Sequence, residues 1–295
     1  MTFLPKTDPA KTHSRKDSGF WWKIAGAWWK LTNILEKWAI TWQDRLGGLS
    51  YAKWIRTVER EAIAQASRDQ PQKKAQIPSI CFLINPEGFS QDDVRLTLES
   101  LNRITAGEHA SIVVQESRDE AGALAGAADR LPGEWVVPIG AGDRLSPAWL
   151  DLFCLFLERN PEADIVYWDE DMMDAGEQRV QPFFKPDWSP ELLYSLNYLE
   201  SAAFRKTLFS QYRGLQRTSQ AGWIFDVTQL ARQISHIPFV LQHRPAGRQL
   251  RMRAFLEQHA QDARAYLEQR GYRDVVATVN ENNVLRFDWA MESPL

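Results

Sequence analysis

The chain has 295 residues, 44% hydrophobic and 25% charged, the balance of a globular protein long enough for one large domain with appendages or for two small ones. With 35 basic against 38 acidic side chains the formal net charge is −3, so no global basic field argues for nucleic acid as a partner. The two cysteines, Cys81 and Cys154, each sit inside an apolar run with no disulfide or zinc spacing, and no signal-peptide pattern precedes them, which favours a reducing cytoplasmic setting.

Residues 1–18 are polar and read as a disordered tail. A helical extension over 19–70 follows. Six of the 13 tryptophans fall between positions 21 and 42, and Trp21, Trp28, Leu31, Leu35, Trp38 and Trp42 fit one helical stripe with Lys23, Lys30 and Lys37 placed off it. Charge interrupts the apolar run too often for a bilayer span. Such a helix suits either the membrane interface or packing on its own domain or a partner chain. A second helix is expected over 49–68 from Tyr51, Trp54, Ile55, Val58 and Ile63, and the polar run 68–74 reads as a linker.

The main domain is expected over 77–247. Ser79 to Ile84 is a short continuous apolar run, the pattern of a central parallel strand, and a helix over 90–103 follows with Ser90 as its cap. Ser111–Val114 is the next strand, then an Ala/Gly-rich helix at 119–130, strand Trp135–Ile139, the loop Gly140–Arg144 and a helix at 146–159. Strand 163–167 ends in three consecutive carboxylates, Asp169, Glu170 and Asp171. This βα alternation predicts an α/β fold with a mainly parallel sheet between helices. Beyond it the spacing predicts short helices over 191–197 and 205–209, a helix over 222–234 and a strand at 237–241. A C-terminal region 248–295 then holds a charged helix over 248–270 and a strand-like tail at 275–279 and 284–287.

Acids gathered at a strand end repel one another unless a cation, a donor-rich ligand or water compensates them, and strand ends are where open α/β sheets bind ligands. A solvated acidic turn before a hairpin is the alternative.

The run Asp164-Ile165-Val166-Tyr167-Trp168-Asp169-Glu170-Asp171, with Pro182 to Leu193, Asn197-Tyr198 and the later His236-Ile237-Pro238 and His243-Arg244, resembles a signature of family 2 glycosyltransferases, in particular those building bacterial O-antigen and rhamnose-containing polysaccharides. Residues 50–55 are similar to the helix that precedes the catalytic domain in these proteins, so the resemblance covers roughly residues 50–290. It implies a GT-A (Rossmann-like) fold, a nucleotide-sugar donor, a glycan or lipid-linked acceptor, Mg²⁺ or Mn²⁺, and inverting displacement with an Asp base. It implies a cytoplasmic site peripheral to the inner face of the plasma membrane, with the stripe Trp21–Trp42 as the contact.

Carried over to this chain, the donor side falls on Asn85, Glu116 and Asp143, with Asp143 and His243 as a sparse metal pair. The metal motif is reduced to Gly140-Ala141-Gly142-Asp143, and Gln115-Glu116 stand where paired Asp residues read the base. The helix that carries the base reads Ile224-Phe225-Asp226, leaving Asp226 as the substitute candidate or a dipole-stabilised helix carboxylate. The acceptor side falls on Asp169, Glu170, Asp171 and Trp188, with Trp168 and Phe184 as further ring faces, unless Lys185 and Arg179 neutralise the acids in a structural lock. These losses set a second reading beside the enzyme: an impaired GT-A module that binds acceptor glycan or a partner glycosyltransferase.

Overall fold

The computed structural model describes residues 50–68, 77–86, 89–104, 110–114, 132–212, 222–246, 252–272, 275–279 and 285–288. The Trp21–Trp42 stripe, the linker, Glu116 and the helix expected at 119–130 lie outside the described residues. Tyr51–Leu295 forms one compact unit.

That unit opens with α1 (Tyr51–Trp54), a π-helical turn (Ile55–Glu59) and α2 (Arg60–Arg68). Strand β1 (Ile80–Asn85), α3 (Gln91–Ile104), β2 (Ala110–Val114), β3 (Trp135–Gly140), the short β4 (Arg144–Leu145) and α4 (Trp149–Arg159) follow. Next come β5 (Ile165–Met173), β6 (Arg179–Phe183), α5 (Pro190–Ser195), β7 (Ala202–Arg205), α6 (Lys206–Tyr212) and α7 (Trp223–Leu230). The chain closes with β8 (Ile234–Pro245), α8 (Met252–Gln269) and a hairpin of β9 (Val276–Val279) and β10 (Leu285–Asp288).

The main sheet runs β2-β1-β3-β7-β5-β8-β4, with β6 on β5. Strands β2, β1, β3, β5 and β8 point one way, and β7, β4 and β6 run against them. This is the mainly parallel sheet expected from the alternation. Side chains of period two divide it between two cores. Ile80, Phe82, Ile84, Trp135, Val137, Val166 and Trp168 face one core, closed by Leu101 of α3, Trp149, Leu152 and Phe153 of α4, and Ile63 and Ala66 of α2. Cys81, Leu83, Val136, Ile165 and Tyr167 face the other, closed by Leu193, Phe209, Phe225, Ala263 and Tyr266 from α5 to α8. Both cysteines are buried, and neither is in a disulfide.

The structure departs from the expected elements in several places, among them the unexpected strands β4 and β6. Strand β5 does not end at Tyr167 but continues through the three acids to Met173, because β8 and β6 pair with it there. Residues 202–205 form β7, a strand wedged antiparallel between β3 and β5, which short local pattern alone reads as the approach to a helix. Helix α4 starts at Trp149, since Arg144 and Leu145 are taken up by pairing with β8. Helix α7 stops at Leu230, and Ile234 already belongs to β8. Among the described residues no helix is long and apolar enough to cross a membrane.

Candidate functional site

The C-terminal ends of β1 and β3 and the C-terminal halves of β5 and β8 lie along one edge of the sheet, where open α/β sheets leave a crevice. Asn85 ends β1 opposite Gly140, the last residue of β3. The loop after β3 is fixed by α3. Ser90 caps that helix by accepting the Asp93 N–H at 3.1 Å, while Asp93 Oδ2 accepts the Ser90 N–H at 2.9 Å. One turn on, the buried Thr97 hydroxyl donates to the Asp143 carbonyl at 2.8 Å and accepts the Gly142 N–H at 2.9 Å. Gly142 adopts φ +90°, which an L side chain rarely takes, so the turn that delivers Asp143 depends on glycine.

Asp143 is buried, and its Oδ2 accepts a hydrogen bond from Gln242 Nε2 at 2.9 Å; Gln242 Oε1 in turn accepts from Trp168 Nε1 at 3.3 Å. The candidate donor-side acid is therefore held by a neutral amide on β8.

The three consecutive acids are not solvated. Asp169 is buried and accepts the Lys185 backbone N–H at 2.8 Å, with His236 Nε2 also at 2.8 Å. His236 stacks on Tyr167 with centroids 4.7 Å apart, and its other nitrogen lies 3.8 Å from Asp187. Burial alone would lower the His236 pKa, but Asp169 and Asp187 together raise it.

Glu170 receives Lys185 Nζ at 3.0 Å, Arg244 Nη2 at 3.0 Å and the Ser201 hydroxyl. Burial pushes its pKa upward; the Arg244 and Lys185 charges and the Ser201 hydrogen bond outweigh that and hold it at about 2. Arg244 itself is buried and reaches Glu200 with Nη1 and Ser201 with Nη2.

Asp171 is 1% exposed. Its Oδ1 meets His243 Nδ1 at 2.6 Å, and its Oδ2 accepts from the Tyr51 hydroxyl at 2.7 Å and Arg179 Nε at 2.5 Å. The rest of the Arg179 guanidinium is chelated by Glu59 at 2.6 and 2.7 Å.

Cations thus accompany the acids one by one, as buried carboxylates require. Lys185 and Arg179 contribute as the sequence allows, and Arg244, Glu59, Glu200 and Ser201 add partners that local pattern did not single out. Period-two spacing puts Arg244 on the same side of β8 as Gln242, but it does not disclose the acid that Arg244 meets, and nothing periodic marks Glu59, Glu200 or Ser201.

The remaining sequence-derived candidates divide. Trp188 is half-buried and tilts against Tyr198 at 5.9 Å, so part of its ring is committed to the core. Trp168 is fully buried against Trp149 and cannot offer a face to a sugar, correcting that expectation. Phe184 is 43% exposed and meets Trp54 of α1 edge-on at 5.2 Å. Asp226 is buried in the first turn of α7, beside an equally buried Ile224. Asp143 and His243 are each tied to a different partner, and among the described residues no group of three His, Cys, Asp or Glu side chains could hold a metal ion. Mg²⁺ is commonly bound through one or two carboxylates completed by substrate phosphates and water, so a metal at this edge would rest on Asp143 and the phosphates of a donor.

No family model matches the chain. A stretch of 120 residues, 39% of this chain, is 36% identical to the O-antigen biosynthesis protein RfbC of Myxococcus xanthus. A stretch of 116 residues is 30% identical to the uncharacterized protein y4gI of Sinorhizobium fredii. The chain spans 9% and 13% of the lengths of these two relatives. Among solved structures, S. aureus TarS 1-349 aligns at 12% identity with a TM-score of 0.42 over 63% of this chain and 70% of that one. The same protein in complex with UDP-GlcNAc aligns with a TM-score of 0.44 over 57% and 58%.

Proposed function

We propose that this chain is a GT-A glycosyltransferase module of bacterial surface-polysaccharide biosynthesis, transferring a sugar with inversion from a nucleotide-sugar donor to a glycan or lipid-linked acceptor. The observation that carries the proposal is the gathering on one sheet edge of Asn85, the Gly140–Asp143 loop, the β5 acids and the Gln242–Arg244 run. The family 2 signature and the local identity to an O-antigen biosynthesis protein support it. In this reading Asn85, Glu116 and Asp143 serve the donor. The acceptor lies toward β5 and β6, where Asp187 and Phe184 are the exposed groups for sugar hydroxyls and a sugar face, and Trp188 lines the approach. Asp169, Glu170 and Asp171, spent on their own cations, keep that wall in shape.

A second reading, an impaired module that binds an acceptor glycan or a partner glycosyltransferase, is favoured by one feature: Ile224 at the expected base position is buried, and so is Asp226. A general base must come within hydrogen-bond reach of the acceptor hydroxyl.

Calorimetric titration with UDP- and dTDP-sugars, with and without Mn²⁺, separates the two. Micromolar metal-dependent binding that is lost in Asp143→Ala would sink the impaired reading and support a metal role for Asp143 and His243. Absence of binding to every donor would sink the enzyme. The proposed peripheral contact at the inner membrane face rests on the Trp21–Trp42 stripe, and flotation with liposomes, with and without residues 1–45, tests it: equal flotation of both removes it.

A further inference from the structure

A buried polar chain connects the first helical segment to β8, and the functional reading above does not use it. It starts at Glu59, which is 5% exposed although its neighbours Arg56, Thr57 and Arg60 are exposed. Glu59 ends a π-helical turn, a local widening that recurs at functional positions in helices. Both of its oxygens take the Arg179 fork, and Arg179 Nε passes on to Asp171. Tyr51, one helical stretch earlier, gives its hydroxyl to the same Asp171 oxygen. The other oxygen of Asp171 receives His243 Nδ1.

We infer that Tyr51 and Glu59 are positioning residues for His243: through Arg179 and Asp171 they hold its imidazole with Nδ1–H on the carboxylate, so that Nε2 is the nitrogen offered to a ligand hydroxyl. The helical segment 51–68 then belongs to the binding site. The ligand class, a sugar hydroxyl, rests on the proposed function; the positioning does not.

The chemistry favours positioning over a simple ion pair. One guanidinium serves two buried carboxylates, so its charge alone does not satisfy Asp171, and the Tyr51 hydroxyl and the His243 N–H complete the set. A carboxylate saturated on one oxygen by two fixed donors has its second oxygen fixed in direction. A histidine bonded through one ring nitrogen to such a carboxylate is set in both tautomer and ring orientation. Arg179 can make all its contacts only because its fork is planar, so a lysine in its place keeps the charge and loses the alignment.

The test reads the histidine directly, without any ligand. Long-range ¹H–¹⁵N spectra of the full chain, with the His243 signals assigned by loss in His243→Gln, report its tautomer. The wild type is expected to show the Nδ1–H form. Tyr51→Phe, which keeps the ring stacked on Trp54 and removes only the hydroxyl, and Glu59→Gln and Arg179→Lys are each expected to shift the tautomer ratio by about ten-fold, the scale of a lost hydrogen bond to a charged group. Arg68→Ala, which breaks the exposed pair with Glu61 on the same helical segment but touches none of the polar chain, is expected to leave the ratio unchanged. An Nε2–H tautomer in the wild type overturns the inference whether or not any variant folds. So does an unchanged ratio in Tyr51→Phe. Failure of the donor titration would leave both of these readouts intact, so the two proposals fall separately.

Discussion

Glu170 lies among Lys185, Arg244 and the Ser201 hydroxyl, and these neighbours decide how the protein responds to acid. Its folded-state pKa of about 2 lies below the ordinary 4.5, so its contribution to stability is present above about pH 4.5 and is lost as the pH falls toward 2. The size of the shift corresponds to about 3 kcal/mol. Urea unfolding followed across that window should show a steep acid limb in the wild type. In Glu170→Gln that limb should flatten, while stability at neutral pH falls by about 3 kcal/mol because buried Lys185 loses its counter-charge and Arg244 keeps only Glu200. An equally steep limb in both proteins would assign the acid response elsewhere. His236 has the opposite sign. Its pKa is raised by Asp169 and Asp187, so its contribution is complete below its ordinary 6.5 and is lost as the pH rises through the folded value. Unfolding measured on the alkaline side should therefore show a loss that His236→Phe, which keeps a ring against Tyr167, no longer displays.

At the scale of elements, the loop between β3 and β4 is the part that a single methyl group should disturb. A Cβ on Gly142 would come within 3.0 Å of Pro245 Cγ and 3.5 Å of Asp93 Oδ1, at a φ of +90°. Gly142→Ala is expected to destabilise the fold by about 1–3 kcal/mol and to weaken any ligand that depends on Asp143, measurable as a lowered urea midpoint. The same loop shows what local pattern can and cannot reveal. The apolar runs at 80–84 and 135–139 were readable as strands because a buried parallel strand needs little else than continuous apolar side chains. The extension of β5 through Asp169, Glu170 and Asp171 was not readable, since carboxylates are poor strand formers and only the cations brought by β6, β8 and the segment after β6 permit them there. The acids were recognisable as a cluster, but their role was not. Their partners Arg244, Glu59 and Ser201 are distant in sequence, and a pairing across the fold leaves no periodic trace. Likewise the apolar spacing around Trp54 predicts a helix, yet it carries no sign of the π turn or of Glu59 as a buried residue.

For the whole molecule, the compact unit from Tyr51 onward contains both cores and every contact of the polar chain from Glu59 to His243. Residues 51–68 behave in it as an integral part of the sheet's support. Ile63 and Ala66 cover the core beneath β1 and β3, Trp54 covers Phe184, and Glu59 and Tyr51 complete the coordination of Arg179 and Asp171. A fragment 51–295 and a fragment 69–295 should therefore differ sharply. Removing the helical segment leaves Arg179 and Asp171 with each other but without Glu59 or Tyr51, and breaking a buried ionic set of this kind costs about 3–5 kcal/mol before the lost apolar cover is counted. That is a large part of the stability of an ordinary domain. The expected outcome is cooperative urea unfolding of 51–295, and for 69–295 an unfolding free energy lowered by that amount, seen as a lower midpoint, or a loss of near-ultraviolet circular dichroism. Equal midpoints for the two fragments would mean that the helix merely rests on the β5–β6 hairpin, and they would remove the basis for treating it as part of the site.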